Sequence, residues 1–288
     1  MIATSFAPGH ISAFFDPYFY KQDIERCGSR GSGLNISLGA TTQVRIENST
    51  SQYIDIIINK RRINSPVTKL AIKHIIGENP FLVIVNTKLD LPVGQGFGMS
   101  AAGALSTTIS MTKILNLSRD IAVKAAHFAE VESKTGLGDV IASSFGGIEI
   151  RREAGLPPWG IIEHIPGKYE IVLCIIGKKI ETKKILLNEK KICEISYYGK
   201  YCVKKLIEKP TIENLFYLSQ LFSKKTSLAN SKIQQAIETA NKFGMSSMCM
   251  LGNSIFAIGN TNELCKALSN FGKVYITAID EYGARIIQ

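Results

Sequence analysis

Leu91-Pro-Val-Gly-Gln-Gly-Phe-Gly-Met-Ser-Ala-Ala102 decides how this chain is read. It follows a strand-like run, Phe81–Leu89, and opens an Ala-, Ser- and Thr-rich helix expected over 98–115 with its apolar residues on one side. Glycines at 94, 96 and 98 let the backbone approach an anion closely. The helix that follows offers unpaired N–H groups at the positive end of its dipole. The segment therefore reads as a phosphate cradle. It is not a Walker A loop, because no Gly-Lys-Ser/Thr follows, and it lacks the G-x-G-x-x-G order of a dinucleotide fold. Standing alone, it would also fit an ordinary glycine-rich turn between strand and helix.

Downstream lies Ala126-His-Phe-Ala-Glu-Val-Glu-Ser-Lys-Thr-Gly-Leu-Gly-Asp139, on a helix expected to begin at Ser118 as N-cap and to turn Ile121, Ala125, Phe128 and Ala129 toward the core. His127 and Glu130 are i,i+3 neighbours, whereas Glu132 points about 200° away from Glu130, so one of the two glutamates must face outward. Plain structural roles exist for the acids: Glu130 could pair with Lys134 on the helix surface, and Asp139 could cap the next helix.

Two further stretches bracket these. With Phe6-Ala-Pro-Gly-His-Ile-Ser12 near the start and Ala240-Asn-Lys-Phe-Gly-Met-Ser-Ser-Met-Cys-Met-Leu-Gly-Asn-Ser-Ile-Phe-Ala257 near the end, the glycine loop resembles, in order, the three motifs of the GHMP kinases. That resemblance implies an α+β, two-domain GHMP kinase fold: a ribosomal protein S5 domain 2-like N-terminal domain over 1–160 and a ferredoxin-like C-terminal domain over 161–288. It also implies ATP and Mg²⁺ as cofactors. By the same resemblance Pro92, Gly94, Gln95, Gly96, Phe97, Gly98, Met99, Ser100 and Ala101 bind ATP. Ser100 and Glu130 hold the metal, and Asp139 is the catalytic carboxylate beside them. Two positions depart from the family pattern. The usual Ser-Ser is Met99-Ser100, leaving only Ser100 to supply a hydroxyl, and the first-motif position that is often Lys is His10. The role of that lysine is then vacant or filled elsewhere.

Within the family, Cys27-Gly-Ser-Arg-Gly-Ser-Gly-Leu-Asn35, His127 and Gly146-Gly-Ile-Glu-Ile-Arg-Arg152 resemble the archaeal members that phosphorylate pantoate. This implies transfer to the primary hydroxyl of (R)-pantoate, with Ser29, His127, Arg151 and Thr182 as substrate residues. A guanidinium can grip a carboxylate bidentately, while hydroxyls and imidazole can hydrogen-bond it. Arg151 and Arg152 point to opposite faces of a strand, so only one can face a pocket. The choice of Arg151 comes from the resemblance. A family kinase for homoserine, shikimate or mevalonate would share every phosphate residue, and substrate assays separate these. A ligand sensor that keeps the fold would have no need of Ser100, Glu130 and Asp139 together.

The remainder of the chain is consistent with an enzyme of this kind. Its 288 residues, 45% hydrophobic and 20% charged, exclude disorder, collagen and coiled coil. The longest apolar run, Tyr169–Ile176, is far below the roughly 18 residues of a membrane helix, and the N-terminus has no basic head and apolar run, so a cytoplasmic protein without membrane partners is expected. Six cysteines lack any CxxC or zinc spacing and read as reduced thiols. Basic residues exceed acidic ones, 34 to 24, which attracts anions. The Lys-Lys doublets lack interleaved aromatic platforms, so no nucleic-acid partner is expected. Small-molecule substrate, ATP and a second copy in a homodimer complete the expected partners. Pro157-Pro-Trp-Gly160 marks the expected boundary, after which strands near 170–176 and 245–250 alternate with helices near 188–207, 212–222, 232–242 and 262–270.

Overall fold

The computed structural model describes residues 1–20, 22–180, 185 and 187–288; Thr182 lies outside them. Its spine is a pair of long antiparallel strands, β1 (Ile2–Tyr18) and β2 (Gly28–Asn48). The first-motif residues 6–12 therefore sit inside a strand. No such strand is expected from the sequence, because β1 is buried on both faces over most of its length and carries Pro8 and Pro17, so alternation is lost. Two register slips, at Pro8/Gly9 and Ser12/Phe14, accommodate the irregularity and bend the strand around the site.

The chain continues through β3 (Tyr53–Ile58), β4 (Arg61–Arg62), α1 (Pro66–Ile76), β5 (Phe81–Leu89), α2 (Met99–Leu115), α3 (Arg119–Ser133), α4 (Asp139–Phe145), β6 (Ile148–Glu153) and β7 (Ile161–Ile165). Then follow β8 (Glu170–Ile175), α5 (Glu189–Glu208), α6 (Ile212–Lys225), α7 (Ser231–Ala240), β9 (Gly244–Met248), β10 (Ser254–Gly259), α8 (Thr261–Leu268), β11 (Lys273–Ala278) and β12 (Arg285–Ile286). Asn188, Thr211, Asn230 and Asn260 start α5 to α8 by accepting a backbone N–H three residues on.

One sheet runs β12-β1-β2-β5-β3-β4, with β3 parallel to β5 and the other pairs antiparallel. β6 pairs with the first part of β2, and β7 with β6. The second sheet, β11-β8-β10-β9, is wholly antiparallel and has the strand order of a ferredoxin-like fold. The expected α+β mixture of strands and helices is what the structure has.

Two local expectations are corrected. α2 is not apolar on one side but buried all round from Ala101 to Thr112. Its hydroxyls are absorbed locally or by the sheet: Thr107 donates to Gly103 O at 2.7 Å, and Ser106 bonds Thr42 at 2.6 Å. Small residues thus let a central helix lie close against β1 and β2. Ile121, expected in the core, is exposed, while Ala125 and Ala129 are buried.

Candidate active site

The glycine loop lies where the two sheets meet. Gly94, Gly96 and Gly98 have φ of 81°, 78° and 61°, a backbone only glycine adopts without strain. The loop is held from both sides: Ile180 N–H donates to Gly94 O at 2.9 Å, the Gln95 side chain donates to Gly177 O at 2.9 Å, and His10 N–H donates to Phe97 O at 3.0 Å. Beside it opens a cleft of about 380 Å³. Of the expected ATP residues, Gly94, Gly96, Phe97, Gly98, Met99, Ser100 and Ala101 line this cleft. Gln95 does not, being buried and committed to Gly177, and Pro92 is exposed beyond the rim.

α2 begins directly at the cleft, capped by Gly98 in the left-handed region with no side-chain cap and no acidic residue in its first turn. Its first N–H groups and its dipole are therefore free to take an anion. The Met99 side chain packs against Gly9, where an added Cβ would stand 2.7 Å from its terminal methyl. Its neighbour Ser100 lines the cleft.

α3 brings Glu130 to the opposite wall, 2% exposed, while Glu132 turns outward and pairs with His74 at 3.3 Å. Burial, and then the neighbouring Asp139 charge, hold the Glu130 carboxyl well above the usual carboxylate range. Asp139 stands at the start of α4 after Gly138, with its side chain 28% exposed to the cleft. The pair thus sets two carboxyl groups against the anion-binding loop, with His10 behind Asp139. Among the described residues no three His, Cys, Asp or Glu side chains converge to cage a metal. The arrangement instead fits a cation that takes one or two carboxylates and completes its shell with phosphate and water.

Behind this wall lies a buried charge network. His10, fully buried, holds Asp139 Oδ1 at 2.7 Å through Nδ1 and Glu149 Oε1 at 3.0 Å through Nε2. Arg151 is ion-paired to the same Glu149 oxygen and donates through Nε to Ser29 O at 3.2 Å. Space for this comes from β2: a Cβ on Gly33 would stand 2.4 Å from His10 Nε2. Burial alone would push the His10 imidazole down, but the Glu149 charge and the hydrogen bonds to Asp139 and Glu149 outweigh it and raise its pKa from 6.5 to about 9. Burial works against the Glu149 carboxylate too, yet His10 and Arg151 hold it below the usual range. A positive charge at the first-motif position is therefore present in the form of a histidine.

The expected substrate residues separate. Ser29 lines the cleft. Arg151 is 2% exposed and sits one layer back, under Gly138, where a Cβ would lie 3.0 Å from its Nε. Arg152 points outward and pairs with Glu163 at 2.5 Å. His127 is buried beneath the turn before β2, 3.3 Å from Ile24 O, and burial lowers its pKa to about 4, so it is neutral. Sequence reasoning misses Ser12, Phe15, Val93 and Thr135 on the cleft walls, and it gives Glu149 no role. The period of a strand carries a signal for Glu149, since it shares a face with Arg151 two residues on.

The sign of the His10 shift gives a test. A histidine with a higher pKa folded than unfolded stabilises the fold fully below 6.5, and that contribution, roughly 3 kcal/mol, is lost as the pH rises toward 9. The thermal midpoint is expected to fall across that interval in calorimetry; a flat or rising midpoint would count against a charged His10.

Residues 66–147 match the GHMP kinases N terminal domain. The chain is 36% identical to a pantoate kinase of Methanocaldococcus jannaschii over 92% of its own length and 95% of that protein. It is 32% identical to one of Thermococcus kodakarensis over 93% and 91%. Among solved structures, a phosphotransferase related to the CoA biosynthesis pathway superposes with a TM-score of 0.90, at 29% identity, covering 99% of this chain and 98% of that one. Matched to the pantoate kinases over more than nine-tenths of its length, with the loop and carboxylates of the motifs gathered at one cleft, the chain belongs to the GHMP kinase family, in the group of the pantoate kinases.

Proposed function

We propose that this protein transfers the γ-phosphoryl group of ATP to the primary hydroxyl of (R)-pantoate, giving (R)-4-phosphopantoate for coenzyme A synthesis. The observation that carries the reading is the meeting, at one cleft, of an uncapped helix N-terminus, a glycine loop and two carboxylates on a chain similar throughout to pantoate kinases. Phosphoryl transfer asks the protein mainly for positioning and charge management. The loop amides and the first turn of α2 cradle the triphosphate. Ser100 and Glu130 are the residues that would hold Mg²⁺, which when bound neutralises charge on the phosphates. Asp139 orients the acceptor hydroxyl and takes its proton: Oδ1 is engaged by His10, leaving Oδ2 for the substrate. Phe15 and Leu137 offer apolar surface to a gem-dimethyl centre, and Ser29 a hydroxyl. Arg151, which lies against Gly138 behind the cleft wall, is assigned the substrate carboxylate, while His127 supports the turn at Ile24.

The same reading takes residues 1–160 as the ATP-binding domain and 161–288 as the second domain. The two separate sheets support this division, although β7 and β12 complete the first of them. It takes the protein as cytoplasmic, in line with the absence, among the described residues, of any helix long and apolar enough to cross a membrane. A homodimer is read out by the mass in solution.

Incubation with Mg-ATP and a panel of pantoate, homoserine, shikimate and mevalonate tests the substrate: pantoate is expected to lead in kcat/KM, and a better turnover of another acceptor overturns the assignment. Ser100→Ala and Glu130→Gln are each expected to raise the Mg²⁺ needed for half-maximal rate about tenfold or more. A Mg²⁺ titration that superposes on wild type removes the residue from the metal site.

A further inference from the structure

Glu149 is a fully buried acid that the reaction above leaves without a task. It stands on β6 opposite Gly33 of β2, and its Oε1 is shared by two cations, His10 Nε2 at 3.0 Å and the Arg151 guanidinium. Those cations lie side by side, with Arg151 Nη1 only 3.4 Å from His10 Nε2. Two positive groups packed so closely away from water need a common counter-charge. The charged groups that His10 faces are Asp139 from α4 and Glu149 with Arg151 from β6, with the Glu130 carboxyl of α3 near enough to feel its charge. Asp139 alone would have to balance both cations and still serve the substrate.

We propose that Glu149 is a positioning residue for phosphoryl transfer: by accepting from His10 Nε2 and Arg151 at once, it keeps both imidazole nitrogens protonated, so that Asp139 Oδ1 is held by a charged ring through Nδ1–H. An imidazole set between two carboxylates can satisfy both only as a double donor. With the Glu149 charge removed, Arg151 repels the ring charge from 3.4 Å. The ring then keeps the Nδ1–H, whose acceptor is the Asp139 carboxylate, and gives up the proton at Nε2, where Arg151 Nη1 faces the bared lone pair. Asp139 then accepts from a neutral ring instead of an imidazolium, the charge-assisted bond that anchors it is weakened, and the carboxylate is free to turn out of line. Glu149 does not line the cleft, so it acts on the reaction only through the two cations it holds, and the effect on Asp139 passes through His10. Arg151, the second cation on the same oxygen, ties the device to the wall beneath Ser29.

The inference rests on the reading of Asp139 as the acceptor-side carboxylate, and its test keeps the two apart. Glu149→Gln preserves volume and an acceptor oxygen. It is expected to lower kcat for pantoate at least tenfold with KM for ATP changed less than about twofold. In ¹⁵N NMR of the substrate-free protein at neutral pH, His10 is expected to be an imidazolium in wild type and a neutral ring, protonated at Nδ1, in Glu149→Gln. Wild-type kcat in the variant, or a lowered kcat with His10 still charged, overturns the proposal. So does a neutral His10 in wild type, and that measurement decides the matter if the variant does not fold. A wild-type protein that fails to phosphorylate pantoate sinks the substrate assignment instead, and the state of the His10 ring is read without any substrate.

Discussion

Asp139→Asn is expected to fold, bind ATP normally and lose turnover of pantoate by 10² to 10⁴, about the range that general-base positioning contributes. The substitution keeps the volume and leaves an amide oxygen able to accept from His10 Nδ1, so the hydrogen bond at 2.7 Å survives in one amide orientation. What disappears is the charge. The acceptor hydroxyl then finds no anion to take its proton, and the His10 imidazolium loses one of its two carboxylates. Losses concentrated in kcat, with ATP affinity retained in a direct binding titration, are the expected signature. Turnover within threefold of wild type would remove Asp139 from the chemistry and would point to substrate-assisted proton transfer to the phosphate.

The parts of this site that are legible in the sequence are those whose chemistry is local. Three glycines alternating before a small-residue helix specify a left-handed loop and an open helix end without help from the fold, and that is how they sit. Helical spacing likewise forces Glu130 and Glu132 onto different faces, with the outward one taken up by His74. What stays hidden is decided by packing across the chain. β1 escapes detection because prolines and burial on both faces erase its period, although it carries His10. Glu149 and His10 are 139 positions apart and meet only because β2 pairs with β1 on one edge and with β6 on the other. The glycines at 31 and 33 in the stretch before Asn35 are part of the same story, since they line the space that Arg151 and His10 fill. A Gly-x-Gly pair in a strand can thus mark a buried ion network as well as a turn.

Arg151 carries the second large expected effect, in which stability and specificity must be separated. Truncation to Ala leaves Glu149 buried beside His10 with one cation fewer, and breaking a buried pair typically costs about 3–5 kcal/mol. For a protein of this size that is a fall in Tm of roughly 6–20 °C. The loss should be smaller in Arg151→Lys, which keeps the charge but not the Nε donor to Ser29 O. If Arg151 also grips the substrate carboxylate over Gly138, each lost charge-assisted hydrogen bond removes about 1.5–3 kcal/mol, tenfold to more than a hundredfold in kcat/KM for pantoate. A diol with the same gem-dimethyl centre and no carboxylate reads that contribution apart from the structural one. Wild type should use it poorly, and Arg151→Ala, assayed well below its own Tm, should lose little further. An equal penalty on diol and pantoate would make Arg151 a member of the wall alone, anchoring Glu149 and Ser29. The carboxylate would then have to be recognised by another cation, and a search among the residues around Ser29 would begin with Arg30, whose guanidinium is 3.7 Å from Asp16.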